Sequence, residues 1–364
     1  MEQKRTKNHM KIWGIGVIAV LLMLLPMTGT TAESSFGSAV PVSLGVMNNG
    51  WITQYEQVGY YMFTLPSAGQ IKVTTENYLD GFGFLGTQIY DSDNRNRALY
   101  SEYCPGNQYF LLELDRGTYY LKFVGGSPTD DYSGCFGEYN FKIEFTSAGV
   151  NHTEPNNVIG ASAKISLGGT IRGHIAENNE IDFYTFGLLS KGQLKINIEN
   201  YLSHSYLGAQ IYDSNKRMIY ERSFSSKENF TLELNKGTYY MKFVGGYPYE
   251  DYSSYFGEYN FKLTFTKFTK PKAVKLKALR KSGTAVTAKW KRIRGVDGYQ
   301  LIYSRKKSFK GKKSVDLTAS ETKSTIYLLK SRKTYYFKVR AYKNFAEEKN
   351  YGKFGNVKKV KIKR

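Results

Sequence analysis

The sequence is poor in the residues and motifs that most often carry chemistry. Two cysteines in 364 residues build neither a disulfide-dense scaffold nor a four-thiolate zinc site. There is no GxSxG elbow, no HExxH and no Gly-rich phosphate loop, which removes the common serine-hydrolase, zinc-protease and nucleotide-binding readings. No run shows a sustained helical period, and beyond residue 25 no apolar run reaches membrane length. Acidic residues are few, 31 against 52 Lys+Arg, for a net charge of +21. What the chain has in quantity is tyrosine (31), phenylalanine (22) and glycine (35). Aromatics and glycines together favour β-structure with many turns. A charged fraction of 23% with 41% hydrophobic residues is a globular balance. The length suits two or three domains.

Residues 1–32 read as a secretory signal. Lys4, Arg5, Lys7 and Lys11 precede the apolar run Ile12–Leu25, Pro26 breaks it, and Thr30-Thr31-Ala32 offers small residues for cleavage. An uncleaved anchor is the other reading, but the run is shorter than the ~20 residues of a span. The expectation is a secreted protein without a transmembrane span after cleavage.

Self-comparison is the most informative step. Residues 117–146 and 237–266 share 22 of 30 positions at an offset of 120. The match continues upstream through Ile89-Tyr90-Asp91-Ser92 against Ile211-Tyr212-Asp213-Ser214, and Gly69-Gln70-Ile71-Lys72-Val73 against Gly192-Gln193-Leu194-Lys195-Ile196. A repeat this long is an independent domain rather than a solenoid unit. Within each copy, apolar and polar residues alternate, as in Leu194, Ile196 and Ile198, or Tyr259, Phe261, Leu263 and Phe265. That period of two means antiparallel strands with one wet face.

The second copy also carries Glu154-Pro155-Asn156-Asn157, Ile171-Arg172-Gly173-His174-Ile175 and Glu180-Ile181-Asp182-Phe183-Tyr184-Thr185-Phe186. In that order they resemble the bacterial pre-peptidase C-terminal domain, a jelly-roll-like β-sandwich appended to exported proteins and itself without peptidase activity. The first copy lacks the Glu-Pro-Asn opening and joins the family through its repeat partner. Residues 269–364 place Trp290 on an early strand, and Leu329 six residues before Tyr335 and a late alternating strand. This resembles a fibronectin type III domain, in which that tyrosine's hydroxyl would bond upstream backbone. The expected architecture is all-β: a signal (1–32), two jelly-roll-like β-sandwiches (33–147 and 148–268) and an immunoglobulin-like, fibronectin type III sandwich (269–364).

The positive charge belongs to one segment. Residues 269–364 hold 30 Lys+Arg and 5 Asp+Glu, whereas 33–268 hold 18 and 25. Arg305, Lys306, Lys307, Lys310, Lys312 and Lys313 form its densest cluster. Either this is a solubilising surface or it binds an anionic polymer through many screened contacts. For an exported protein the polymer would be cell-wall polymer or acidic polysaccharide; secretion argues against nucleic acid, and no aromatic-interleaved RNA motif is present.

Three smaller constellations remain. The resemblance implies calcium in the second copy, with Glu154, Asn156, Asn157, Glu180 and Asp182 as oxygen ligands; the alternative is a turn cap at the linker, and no other cofactor is expected. Tyr247, Tyr249, Tyr252 and Tyr255 crowd one loop of that copy and either stack on a ligand or pack over the sandwich edge. Cys104 and Cys135 align with Phe224 and Tyr255; if that pair packs together, the cysteines are neighbours and a disulfide is expected, otherwise two thiols stand alone. Recurring acid pairs, Asp130-Asp131 and Glu250-Asp251, read as turn residues. No catalytic residue emerges. The expected function is a non-enzymatic adhesion protein of the cell surface that attaches to wall polymer, polysaccharide or an extracellular protein. The alternative is a structural spacer or accessory subunit of a separate secreted hydrolase.

Overall fold

The computed structural model describes residues 30–31, 35–55, 57–81, 83–178, 181–202 and 205–363. The expected signal lies outside them apart from Thr30–Thr31, and so does Glu180. The described residues form strands with two single-turn helices, Phe36–Ser38 and Ile159–Ala161. No helix is long and apolar enough to cross a membrane. Six sheets enclose three main hydrophobic cores, so the all-β expectation holds.

The alternation in the sequence becomes burial. In Gly192–Asn200, Leu194, Ile196 and Ile198 are fully buried while Gln193 and Lys195 are exposed. Such a strand has one face to bury, and the two sheets of a sandwich solve that problem for each other. In the first sandwich one sheet runs, in spatial order, Val40–Pro41, Gly59–Leu65, Gly117–Gly125, Leu85–Asp91 and Ala98–Cys104. The facing sheet contains Met47–Ile52, Gly137–Ser147, Gly69–Leu79 and Gln108–Leu114. The second sandwich repeats both orders with Ile181–Leu188, Gly237–Gly245 and Leu207–Tyr212 against Thr170–Ile175, Gly257–Lys267 and Gly192–Asn200. In the third, Leu276–Ser282, Ala285–Trp290 and Lys323–Ile326 face a sheet built on Gly298–Ser304 and Thr334–Phe345. Trp290 is buried there, and the Tyr335 hydroxyl accepts the Lys330 amide at 3.0 Å.

Two tyrosines meet inside each of the first two sandwiches. Tyr61 and Tyr139 hydroxyls lie 2.8 Å apart, Tyr184 and Tyr259 hydroxyls 2.7 Å, and all four residues are buried. A buried phenol needs a partner, because an unpaired one costs ~1–3 kcal/mol. The cross-strand neighbours of Tyr139 and Tyr259 are Gly50 and Gly173, where a Cβ would run into the tyrosine ring.

The acid pairs are structural, as their turn reading implies. Lys122 and Lys242 are buried, and each reaches into its loop. Lys122 Nζ donates to the Asp130 carbonyl at 2.7 Å and to Asp131 at 3.3 Å; Lys242 treats Glu250 and Asp251 in the same way.

The expected disulfide is not formed: both cysteines are free. Cys104 is buried with Sγ 3.4 Å from the Thr87 hydroxyl. Cys104 pairs with Leu85 and Leu85 with Gly125, whose carbonyl accepts the Cys135 amide. Cys104 thus sits two strands from Gly125, the residue that Cys135 bonds, and its thiol turns to Thr87 instead. In the second copy the aligned Phe224 stacks on Phe230 at 5.7 Å, and Tyr255 is 46% exposed.

Two outcomes follow. Gly173→Ala is expected to destabilise the second sandwich in a urea titration. The overpacking costs ~1–3 kcal/mol, more than the ~0.4–1 kcal/mol returned by a less flexible unfolded chain. Thiol titration of the unfolded, unreduced protein is expected to find both cysteines reactive.

Candidate metal centre, basic face and interdomain cleft

The segment before the second sandwich delivers His152, Glu154 and Asn156 to one cluster. Asn151 fixes the segment: its side chain donates to the Thr170 carbonyl at 3.0 Å and accepts the Arg172 amide at 2.9 Å. The Phe183 amide donates to the Asn156 carbonyl at 2.9 Å, bringing the neighbouring strand residue Asp182 against the cluster. Asn156 and Asp182 are fully buried. The ligating atoms of His152, Glu154 and Asp182 lie within 4.8 Å of one another.

Each side chain is oriented from behind. His152 Nδ1 lies 3.0 Å from the Arg172 carbonyl, and its Nε2 meets the Glu154 carboxylate and, at 3.1 Å, the Tyr184 hydroxyl. Tyr259 donates to Asp182 Oδ2 at 2.5 Å. Burial first, then the Glu154 carboxylate, push the Asp182 pKa well above its usual value. In the first sandwich Gly59 takes the strand position of Asp182, opposite Phe123 as Asp182 is opposite Phe243. The tyrosine pair recurs there without the carboxylate.

Of the five residues expected to hold calcium, Glu154, Asn156 and Asp182 converge. Asn157 is exposed on the wall of the adjoining cleft. Glu180 lies outside the described residues. His152 was not among the expected ligands, although the spacing His152, Glu154, Asn156 contains the signal. Calcium prefers six to eight oxygens, and a histidine nitrogen at the heart of the cluster does not suit it.

The cluster opens on a cleft of about 740 Å³ between the first two sandwiches. Asp91, Asp93 and Asp115 come from one side, and His152, Glu154 and Asn157 from the other. The junction is polar. His174, fully buried, sets Nε2 2.8 Å from Glu113 of the first sandwich. Asn178 binds Asp91 and the Tyr119 hydroxyl, each at 2.9 Å, and the Glu177 amide donates to the Glu113 carbonyl. Burial, then the Glu113 carboxylate, raise the Glu177 pKa to about 7. Arg97 and Tyr252 line the crevice beside it.

The loop tyrosines divide. Tyr247 and Tyr249 stack with ring centres 5.6 Å apart and planes 4° from parallel, and Tyr206 extends the stack at 5.8 Å. Tyr249 is 69% exposed. Tyr252 faces the crevice of Glu177, and Tyr255 is exposed outside the stack.

All six clustered basic residues of the third sandwich are exposed on or at the end of the loop that follows Gly298–Ser304. Phe309 tucks under this loop, and Lys338 sits over its ring at 4.1 Å and over Phe354 at 4.0 Å. Arg340, two residues along the same strand, lies over Tyr351 at 3.6 Å and Phe354 at 4.8 Å. Burial, then Lys312 and Arg340, lower the Lys338 pKa. Lys338 and Arg340 escaped the sequence reading because their aromatic partners are remote in the chain.

No protein-family model and no curated protein sequence matches this chain. Solved structures do. The pre-peptidase C-terminal domain of a collagenase from Bacillus anthracis is 17% identical, covers 29% of this chain and 94% of its own, and has a TM-score of 0.25. The fibronectin type III domain of human collagen alpha-1(XX) is 16% identical, covers 27% and 91%, and has a TM-score of 0.22. A redesigned β-sandwich protein is 22% identical, covers 26% and 96%, and has a TM-score of 0.21. What they share with this chain is the β-sandwich fold.

The junction makes a pH prediction. Glu177 holds its proton to about pH 7 in the folded state, against about 4.5 for the free side chain. Its stabilising share is therefore full below about 4.5 and lost as pH rises through 7. Between pH 5 and 8 the melting temperature of Glu177→Gln should fall less steeply than that of the parent; equal slopes would sink the assignment.

Proposed function

We propose that the chain is a non-catalytic, exported binding protein whose third sandwich docks onto an anionic polymer at the cell surface. The supporting observation is the face on which Lys338 and Arg340 lie between Phe309, Tyr351 and Phe354, flanked by Lys312. Two cations over aromatic rings, with Lys312 beside them, repel one another, and an anion laid across them relieves that repulsion. The exposed loop of Arg305, Lys306, Lys307, Lys310 and Lys313 extends that field, giving a polymer successive points of attachment. The Tyr206–Tyr247–Tyr249 stack is the second contact surface in this reading: rigid, amphipathic and open to a sugar ring or an extended peptide.

The test is retention of the full chain on immobilised teichoic acid. It should be retained at low salt and released by a few tenths molar salt, where the screening length falls to roughly 4–6 Å. Lys338→Ala with Arg340→Ala should elute at lower salt, as should joint alanine replacement of Arg305, Lys306 and Lys307. Passage of the parent without retention favours the spacer alternative. Retention unchanged in both variants rejects this face as the contact.

A further inference from the structure

We propose that His152, Glu154, Asn156 and Asp182 form a divalent-cation site of the zinc class, not a calcium site, on the floor of the cleft between the first two sandwiches. Spacing alone does not choose the ion. Ligating atoms within 4.8 Å of one another suit any cation with bonds of ~2.0–2.5 Å. Donor chemistry chooses it. The Arg172 carbonyl accepts from His152 Nδ1–H at 3.0 Å, which turns Nε2 inward onto Glu154, where an ion would take the place of the proton the two share. A backbone carbonyl behind the outer nitrogen is how proteins orient a metal-binding imidazole. One nitrogen with carboxylate and amide oxygens suits zinc and its neighbours, whereas calcium calls for oxygens throughout.

A second observation concerns the amide. The Asn156 amide group lies 2.7 Å from Asp182 Oδ1 and 2.9 Å from Glu154 Oε2. Without an ion its NH2 end donates to both carboxylates and does not repel them, whereas an ion among them would turn its oxygen inward. No lysine or arginine forms an ion pair with either carboxylate among the described residues; the ionic partner of Glu154 is His152 itself. A divalent ion would supply counter-charge to both carboxylates at once. Tyr259 occupies Asp182 Oδ2, so Oδ1, which meets the Asn156 amide, is the side turned to the cluster. His152 and Glu154 line the cleft, through which an ion can enter and water can complete its shell. The first sandwich, with Gly59 in place of Asp182, should have no such site.

The full chain, stripped with a chelator and dialysed, is titrated separately with Zn²⁺, Co²⁺ and Ca²⁺. The expected result is one Zn²⁺ per chain, Co²⁺ with visible absorption bands at the same stoichiometry, and no displacement by millimolar Ca²⁺. His152→Ala and Asp182→Asn should each weaken zinc by ~100-fold or more, since even outer partners of a ligand count for 10- to 100-fold. Because a change at buried Asp182 can disturb folding, His152→Gln is measured beside it with circular dichroism as the check on fold. Absence of stoichiometric zinc binding overturns the proposal in favour of a turned amide in a metal-free network. Zinc uptake untouched by both His152 variants overturns it in favour of another site. Calcium that binds in place of zinc overturns the choice of ion.

Discussion

The structure of the repeated sandwiches depends on what happens to two phenol groups between their sheets. Tyr61–Tyr139 and Tyr184–Tyr259 bring large aromatic rings into the core at the cost of burying four hydroxyls, and each hydroxyl finds its partner on the opposite sheet. The pairing fixes how the sheets lie over one another, because a bond of 2.7–2.8 Å tolerates little sliding. It also dictates glycine at Gly50 and Gly173, where the neighbouring strand must leave room for the ring.

The candidate metal centre is an elaboration of that pair. Where the first sandwich has Gly59, the second has Asp182, and Tyr259 already points a hydroxyl at it. A buried carboxylate ordinarily carries a heavy desolvation cost. Here it enters a place where one donor was standing and where the preceding segment adds His152, Glu154 and Asn156. The two copies thus share a scaffold, including the buried Lys122 and Lys242 that pin their loops, and differ where a ligand would sit.

Fold class was legible because burial follows the period of two. Leu194, Ile196 and Ile198 could be read inward from spacing alone, whereas Tyr335 as the bonded tyrosine of the third sandwich followed from the resemblance to a fibronectin type III domain. The carboxylate and amide of the cluster were legible as motifs. Other features depend on contacts between residues far apart in the chain. His152 is a ligand candidate only once Arg172 and Asp182 are seen around it. Lys338 and Arg340 become a binding face only when Phe309, Tyr351 and Phe354 close on them. The cysteines misled because alignment to Phe224 and Tyr255 locates backbones, not the direction of side chains.

The third sandwich meets the second through a small set of contacts. Lys191 lies between Phe268 and Phe345, at 4.9 and 5.1 Å from their ring centres, and also bonds Asn350; Glu233 accepts the Ala346 amide at 2.6 Å. The sandwiches themselves are closed by ladders such as the eleven residue pairs that join 69–79 to 137–147. Under a pulling force along the chain these parts bear load in series. A junction of a few bonds yields before a ladder does, and it closes again when the force is released because no core has opened. Joined this way, the molecule would lengthen under tension as a jointed tether, giving at its hinges while each folded unit stays intact.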